Sequence, residues 1–133
     1  MTRIVLDTDV VSLYRMGRLS IAYARLVTAT PHCIAFATAA ELWKDAVDKR
    51  WGGTRRAGLD LWLAREPIVP AGLRVAKVWG AITAGAQRRG RPRPLNDSWI
   101  AACCIEAALP LLTLNRRDFS DFAEHDGLML LGG

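Results

Sequence analysis

The 133-residue chain is poor in the residues that cross-link a fold or bind soft metals. Its three cysteines, Cys33, Cys103 and Cys104, make neither a disulfide framework nor a C-x-x-C metal knuckle. They read as small buried hydrophobes in a reducing compartment. His32 and His125 have no partners at ligand spacing, so neither receives a role. No apolar run reaches the length of about 18 residues that spans a bilayer, which excludes a membrane partner from the expectation. The opening "MTRIVLDTDV" carries an acidic residue where a signal peptide stays apolar, so a cytoplasmic location is expected. Neither an internal repeat nor a long linker divides the chain, and a single domain over residues 1–133 is expected. Acidic residues are the minority, 13 against 18 Lys and Arg, and the net charge of +5 suits a polyanionic partner.

What is present is a compact, 51% hydrophobic chain in which short apolar strands alternate with helices. "IVL" (4–6) reads as a strand, followed by a helix to about Gly17 and another from about Leu19 to Ala29. "HCIAFA" reads as a second strand and "TAAELWKDAVDKR" as a helix capped by Thr38, which "GGT" breaks. "RRAGLDLWLAR" continues as a helix, and "EPIVPAG" holds a short strand between prolines. A long amphipathic helix from Leu73 ends before the proline-bearing loop "RPRP". The next helix contains Asp97 and ends at Pro110. "LLTL" and "LMLL" read as strands on either side of the turn and short helix "NRRDFSDF". This alternation predicts an α/β fold, a parallel sheet covered on both faces.

In such a fold, ligands sit beyond the carboxyl ends of the strands. Asp7 and Asp9 follow the first strand. Glu41 falls in the first turn or so after the second, Asp97 opens its apolar helix, and Asn115 and Asp118 follow "LLTL". Carboxylates gathered in one cleft repel one another unless some take up protons or a cation joins them. An all-oxygen set suits a hard divalent ion, Mg²⁺ or Mn²⁺, and such a site suits phosphodiester cleavage by a metal-activated water. Just before Asp97, "RRGRPR" sets Arg88, Arg89, Arg91 and Arg93 where they would meet a phosphate backbone. Arg116 and Arg117 are further candidates.

The chain resembles the PIN-domain ribonucleases, in particular the VapC-type toxins of bacterial toxin–antitoxin pairs. The matching pieces are "VLDTDVV", "TAAEL", "RGRPRPLNDSWIAA" and "LLTLNRRDF", in order along nearly the whole chain. The resemblance implies a PIN-like three-layer α/β/α sandwich around a central parallel sheet. It implies an endoribonuclease dependent on Mg²⁺ or Mn²⁺, an antitoxin partner and a homodimer. Asp7, Glu41, Asp97 and Asp118 match the family's acidic set, with Thr8, Thr113 and Asn115 beside them. Asp9 stands where the family usually has asparagine, and Asp45 where these toxins often have glycine. Trp43 and Trp62 lie in a region the family uses for pairing and antitoxin contact.

Each acidic residue also has a plainer reading. Asp7, Asp9, Asp97 and Asp118 would serve as helix caps, and Glu41, Asp45 and Asp48 as a solvated stripe paired with Lys44 and Lys49. Their joint occurrence after successive strands favours the site, with Asp97 expected to cap its helix and bind metal at once. Two other functions compete: a structure-specific DNA nuclease of the same fold, and a non-catalytic PIN-like module that binds RNA or a partner.

Overall fold

The computed structural model describes residues 2–132. A five-stranded, all-parallel sheet runs through it in the order β3-β2-β1-β4-β5. The strands are Ile4–Leu6 (β1), His32–Ala35 (β2), Ile68–Val69 (β3), Leu111–Leu112 (β4) and Leu130–Leu131 (β5). Between them run Thr8–Arg15 (α1), Ile21–Ala29 (α2), Phe36–Asp48 (α3), Gly53–Arg65 (α4), Leu73–Arg88 (α5), Leu95–Ala107 (α6) and Arg116–His125 (α7). This is the expected three-layer α/β/α sandwich.

Alternation along the strands builds the layers, because successive side chains leave opposite faces of a sheet. Val5, Cys33, Leu111 and Leu130 face a core made with α5, α6 and α7. Ile4, Leu6, Ile34, Leu112 and Leu131 face the other, made with α1, α2 and α4 and the middle of α3. Central strands with both faces covered must be apolar throughout, which is why "IVL" and "CIA" carry no polar residue. All three cysteines are buried and free, as expected.

Several boundaries move, and each shift bears on the site. Thr38 does not cap α3: the helix begins two residues earlier, with Ala35 at the N-cap, and Thr38 is buried inside it. Glu41 therefore lies in the second turn, not the first. The break between α3 and α4 covers residues 49–52 and takes in only the first glycine of "GGT", because α4 already starts at Gly53. Asp97 does not cap α6, whose N-cap is Pro94; it is the third helical residue. α6 stops at Ala107 and Ala108 turns left-handed with φ 56°, so the chain reverses before Pro110. β4 ends at Leu112, and Thr113 follows it with its backbone N–H donating to the Leu131 carbonyl at 3.1 Å.

Candidate active site

From β1 the chain adds β2 and β3 on one side, then crosses to add β4 and β5 on the other. The two halves diverge between β1 and β4, the point at which folds of this class form their crevice, at the carboxyl ends of the strands. Asp7 and Thr113 are the first residues beyond them. The backbone N–H of Asp7 donates to the Leu112 carbonyl at 3.0 Å, so the two strand ends are locked together.

Asp7 is 5% exposed and both its oxygens are held. Oδ1 accepts from the backbone N–H of Thr8 at 2.8 Å, and Oδ2 from the Thr113 hydroxyl at 2.8 Å. The capping role and the site role thus coincide in Asp7, where they were expected to coincide in Asp97. The Thr8 hydroxyl donates to Glu41 Oε1 at 2.8 Å and lies 3.1 Å from the Thr38 hydroxyl. A hydroxyl has one proton to give, so Thr38 is the donor in the second contact. Asn115 Nδ2 donates to Asp9 Oδ2 at 2.8 Å, while its backbone N–H donates to Thr113 Oγ1. Threonines and an asparagine thus hold three carboxylates of this crevice in place.

The charges tell the same story. Burial first, and then Asp7, Asp118, Glu41 and Asp9 in turn, push Asp97 up to about 7. Burial likewise raises Asp7 to about 6, against the lowering effect of its bonds from Thr113 and Thr8; Asp9 and Glu41 add repulsion. All five carboxylates therefore lie within electrostatic reach, although their elements span residues 7 to 118. None of the five forms an ion pair among the described residues. Nor is any group of three or more His, Cys, Asp or Glu side chains among the described residues gathered tightly enough to hold an ion. The donor set therefore suits a hard cation by its oxygen chemistry and its unpaired charge, and not by the present spacing of its side chains.

The arginines divide. Arg88, Arg91 and Arg117 are exposed. Arg89 is turned inward: its Nη2 is 2.6 Å from Asp121 Oδ2 and 3.4 Å from Asp126 Oδ2, which ties the end of α5 to α7. Arg93 donates to the carbonyls of Arg91 and Pro92, and Arg116 to that of Gly132. Asp45 and Asp48 do pair with Lys49 and Lys44, but Glu41 leaves that stripe for Thr8. Trp43 is exposed on α3, and Trp62 is half-buried against the core beside α4.

Thr38 went unread as a site residue. Its signal was its position three residues before Glu41, the same face of a helix once the start of α3 is set correctly.

A family model for the PIN domain matches residues 4–125. Among solved structures, the chain is similar to VapBC-1 from nontypeable Haemophilus influenzae, with 22% identity and a TM-score of 0.83 over 98% of each chain. It is similar to a member of the VapBC family of toxin-antitoxin systems, VapBC-5 from Mycobacterium tuberculosis, with 24% identity and a TM-score of 0.72 over all of each chain. It is also similar to DNA-bound VapBC from Salmonella typhimurium, with 23% identity and a TM-score of 0.82, covering 99% of this chain and 98% of that one. Identities this low establish the shared fold. No curated protein sequence matches the chain.

Proposed function

Because the chain belongs to the PIN-domain family, we propose that it is a Mg²⁺- or Mn²⁺-dependent endoribonuclease, the toxin of a type II toxin–antitoxin module. One observation carries this reading: buried and half-buried carboxylates crowd the β1/β4 crevice, and none of them forms an ion pair with a basic side chain among the described residues. A protein bears such a cost where a ligand of opposite charge relieves it.

Asp7, Glu41, Asp97 and Asp118 would hold the ion. Bound to them, a divalent cation supplies a water of lowered pKa and positive charge facing the phosphate. The rest falls to the chain's own residues. Thr113 and the Thr8 amide keep both Asp7 oxygens aimed at the crevice, and each oxygen retains a free lone pair. Thr8, itself held by Thr38, orients Glu41. Asn115 holds Asp9 at the rim. Arg88, Arg91 and Arg117 offer exposed charge to the backbone of RNA, and Arg93 and Arg116 flank them with bonds to exposed carbonyls.

The chain acts as a single domain, in the cytoplasm, as a homodimer, with a cognate antitoxin as its second partner. The similarity to VapBC structures supports the antitoxin. Among the described residues no helix is long and apolar enough to cross a membrane.

The test is digestion of total cellular RNA with Mg²⁺, with Mn²⁺ or with EDTA, beside Asp97→Asn. The expected result is discrete fragments that require the metal and disappear in the folded variant. Cleavage that persists in Asp97→Asn removes the metal-ligand role. Cleavage of structured DNA in preference to RNA overturns the substrate, and inert protein under every condition overturns the nuclease.

A further inference from the structure

A second concave site lies beside the acidic crevice. A cavity of about 270 Å³ opens where α1, α3 and the start of α4 meet, and Ser12, Arg15, Asp45, Lys49, Trp51 and Arg55 line it. Its size decides what class of ligand fits. It falls just below the about 300 Å³ where cofactor and drug clefts begin, so it suits a fragment of a longer chain.

Its charge decides the sign. Three cations meet one carboxylate there, and Asp45 is already engaged with Lys49 at 3.6 Å. Neither Arg15 nor Arg55 has an ion-pair partner among the described residues. Burial, and then the like charge of Arg55, lower the Arg15 guanidinium from its usual pKa. Both arginines are nonetheless held in place. Arg55 stacks on Trp51 with its guanidinium carbon 3.7 Å from the ring centre, and Arg15 lies 5.9 Å from that of Trp62. A guanidinium stacked on an aromatic ring keeps its N–H fork free for an oxyanion and loses little entropy on binding one.

The pocket lies near the crevice. Ser12 and Asp45 each lie one helical turn beyond Thr8 and Glu41, about 6 Å along α1 and α3. We propose that this pocket is a backbone subsite for the RNA strand, in which Arg15, Lys49 and Arg55 take a phosphate flanking the one at the acidic crevice. The proposal rests on the ribonuclease reading. Charge alone would also suit an acidic peptide. A position one helical turn from Thr8 and Glu41, and cations combined with an aromatic wall, favour single-stranded nucleic acid.

The experiment measures binding of a labelled, mixed-sequence single-stranded RNA 20-mer to Asp97→Asn protein across a salt series. Arg55→Gln and Lys49→Gln are added singly and together; both positions are exposed, so folding is preserved. Each lost phosphate contact should flatten the slope of log K against log salt by about 0.7. The double variant should bind several-fold more weakly at low salt, and photocrosslinks to the peptide containing Trp51 should fade with it. Unchanged affinity and slope overturn the subsite and leave the ribonuclease intact, because Asp97→Asn still binds RNA. Unchanged RNA binding with loss of a co-purifying protein partner assigns the pocket to that protein and also overturns it. Absence of RNA binding by the parent overturns both readings.

Discussion

Asp97 and Asp121 sit on neighbouring helices on the same side of the sheet, and their charges fare in opposite ways. Asp121 on α7 is 4% exposed, yet its carboxyl is held below the ordinary value by the Arg89 hydrogen bond, with His125 and Arg91 adding to it. Asp97 on α6 is half-buried and is pushed up to about 7, by burial first and then by the four carboxylates near it. Burial is similar in kind; the difference is the partner. A buried carboxylate with a guanidinium is scaffold, since the pair satisfies itself and joins two helices. A cluster without one keeps its repulsion, which is the charge the proposed cation would answer. The same contrast separates the arginines: Arg89 is consumed by the scaffold, while Arg15 and Arg55 line a cavity and form no ion pair among the described residues.

The contrast breaks most sharply under mirrored substitutions. Asp97→Asn should lower RNA cleavage by more than the about 10–100-fold that follows loss of a group merely orienting a metal ligand. It should also raise the thermal midpoint of the metal-free protein, because a repelled charge is gone. Asp121→Asn should do the reverse, lowering the midpoint by several degrees while cleavage persists. Calorimetry and a gel assay on both variants would show it, and the same ranking of the two in both assays would erase the distinction.

A smaller effect is expected at Thr113→Val. It keeps the shape but removes the proton donated to Asp7 Oδ2, and with it an influence that holds the Asp7 pKa down. Cleavage should fall by about 10–100-fold, and the acid limb of its pH profile should move upward. A pH profile identical to the parent's would show that this bond does not tune the site.

Next comes the pH dependence of stability without metal. Asp7 and Asp97 have folded values of about 6 and about 7 against an ordinary 3.8. The folded protein therefore binds more protons than the unfolded one in that window, and these two groups make stability fall as pH climbs through it. Asp121 has the opposite sign: its contribution is present above 3.8 and is lost as pH falls through its lowered folded value. Melting the metal-free protein between about pH 5 and about pH 8 should give a midpoint that declines with pH. Added Mn²⁺ should flatten the decline, and a midpoint that rises across the window would contradict the crowding of the crevice.

The smallest effect belongs to Lys44→Ala. Its partner Asp48 is also exposed on α3, and exposed pairs contribute little. Melting and cleavage should match the parent within error, and a clear loss of activity would bring that stripe of α3 into the site.

Much of the fold was legible because its signals are local. Apolar runs such as "IVL" and "CIA" mark strands buried on both faces, and their alternation with helices dictates a parallel layered sheet. The acidic candidates were legible by position after strands. The details that failed were those that need a neighbour distant in sequence. Thr38 looks like a cap until α3 is seen to start at Phe36 and Thr8 is seen opposite. Arg89 is one of four similar arginines in "RRGRPR", and only the place of Asp121, 32 residues later, separates it from the rest.

By itself the sequence determined the layered α/β class and the set of carboxylates, because hydrophobic periodicity and residue chemistry are properties of the chain. Which charges are left without an ion pair is set by how the elements come together in space. That depends on the crossing from β3 to β4, which sets Thr113 against Asp7, surrounds Asp97 with carboxylates and hands Arg89 to Asp121. Coulomb interactions depend on distance in space, and residues 106 positions apart in the chain meet here at 2.8 Å.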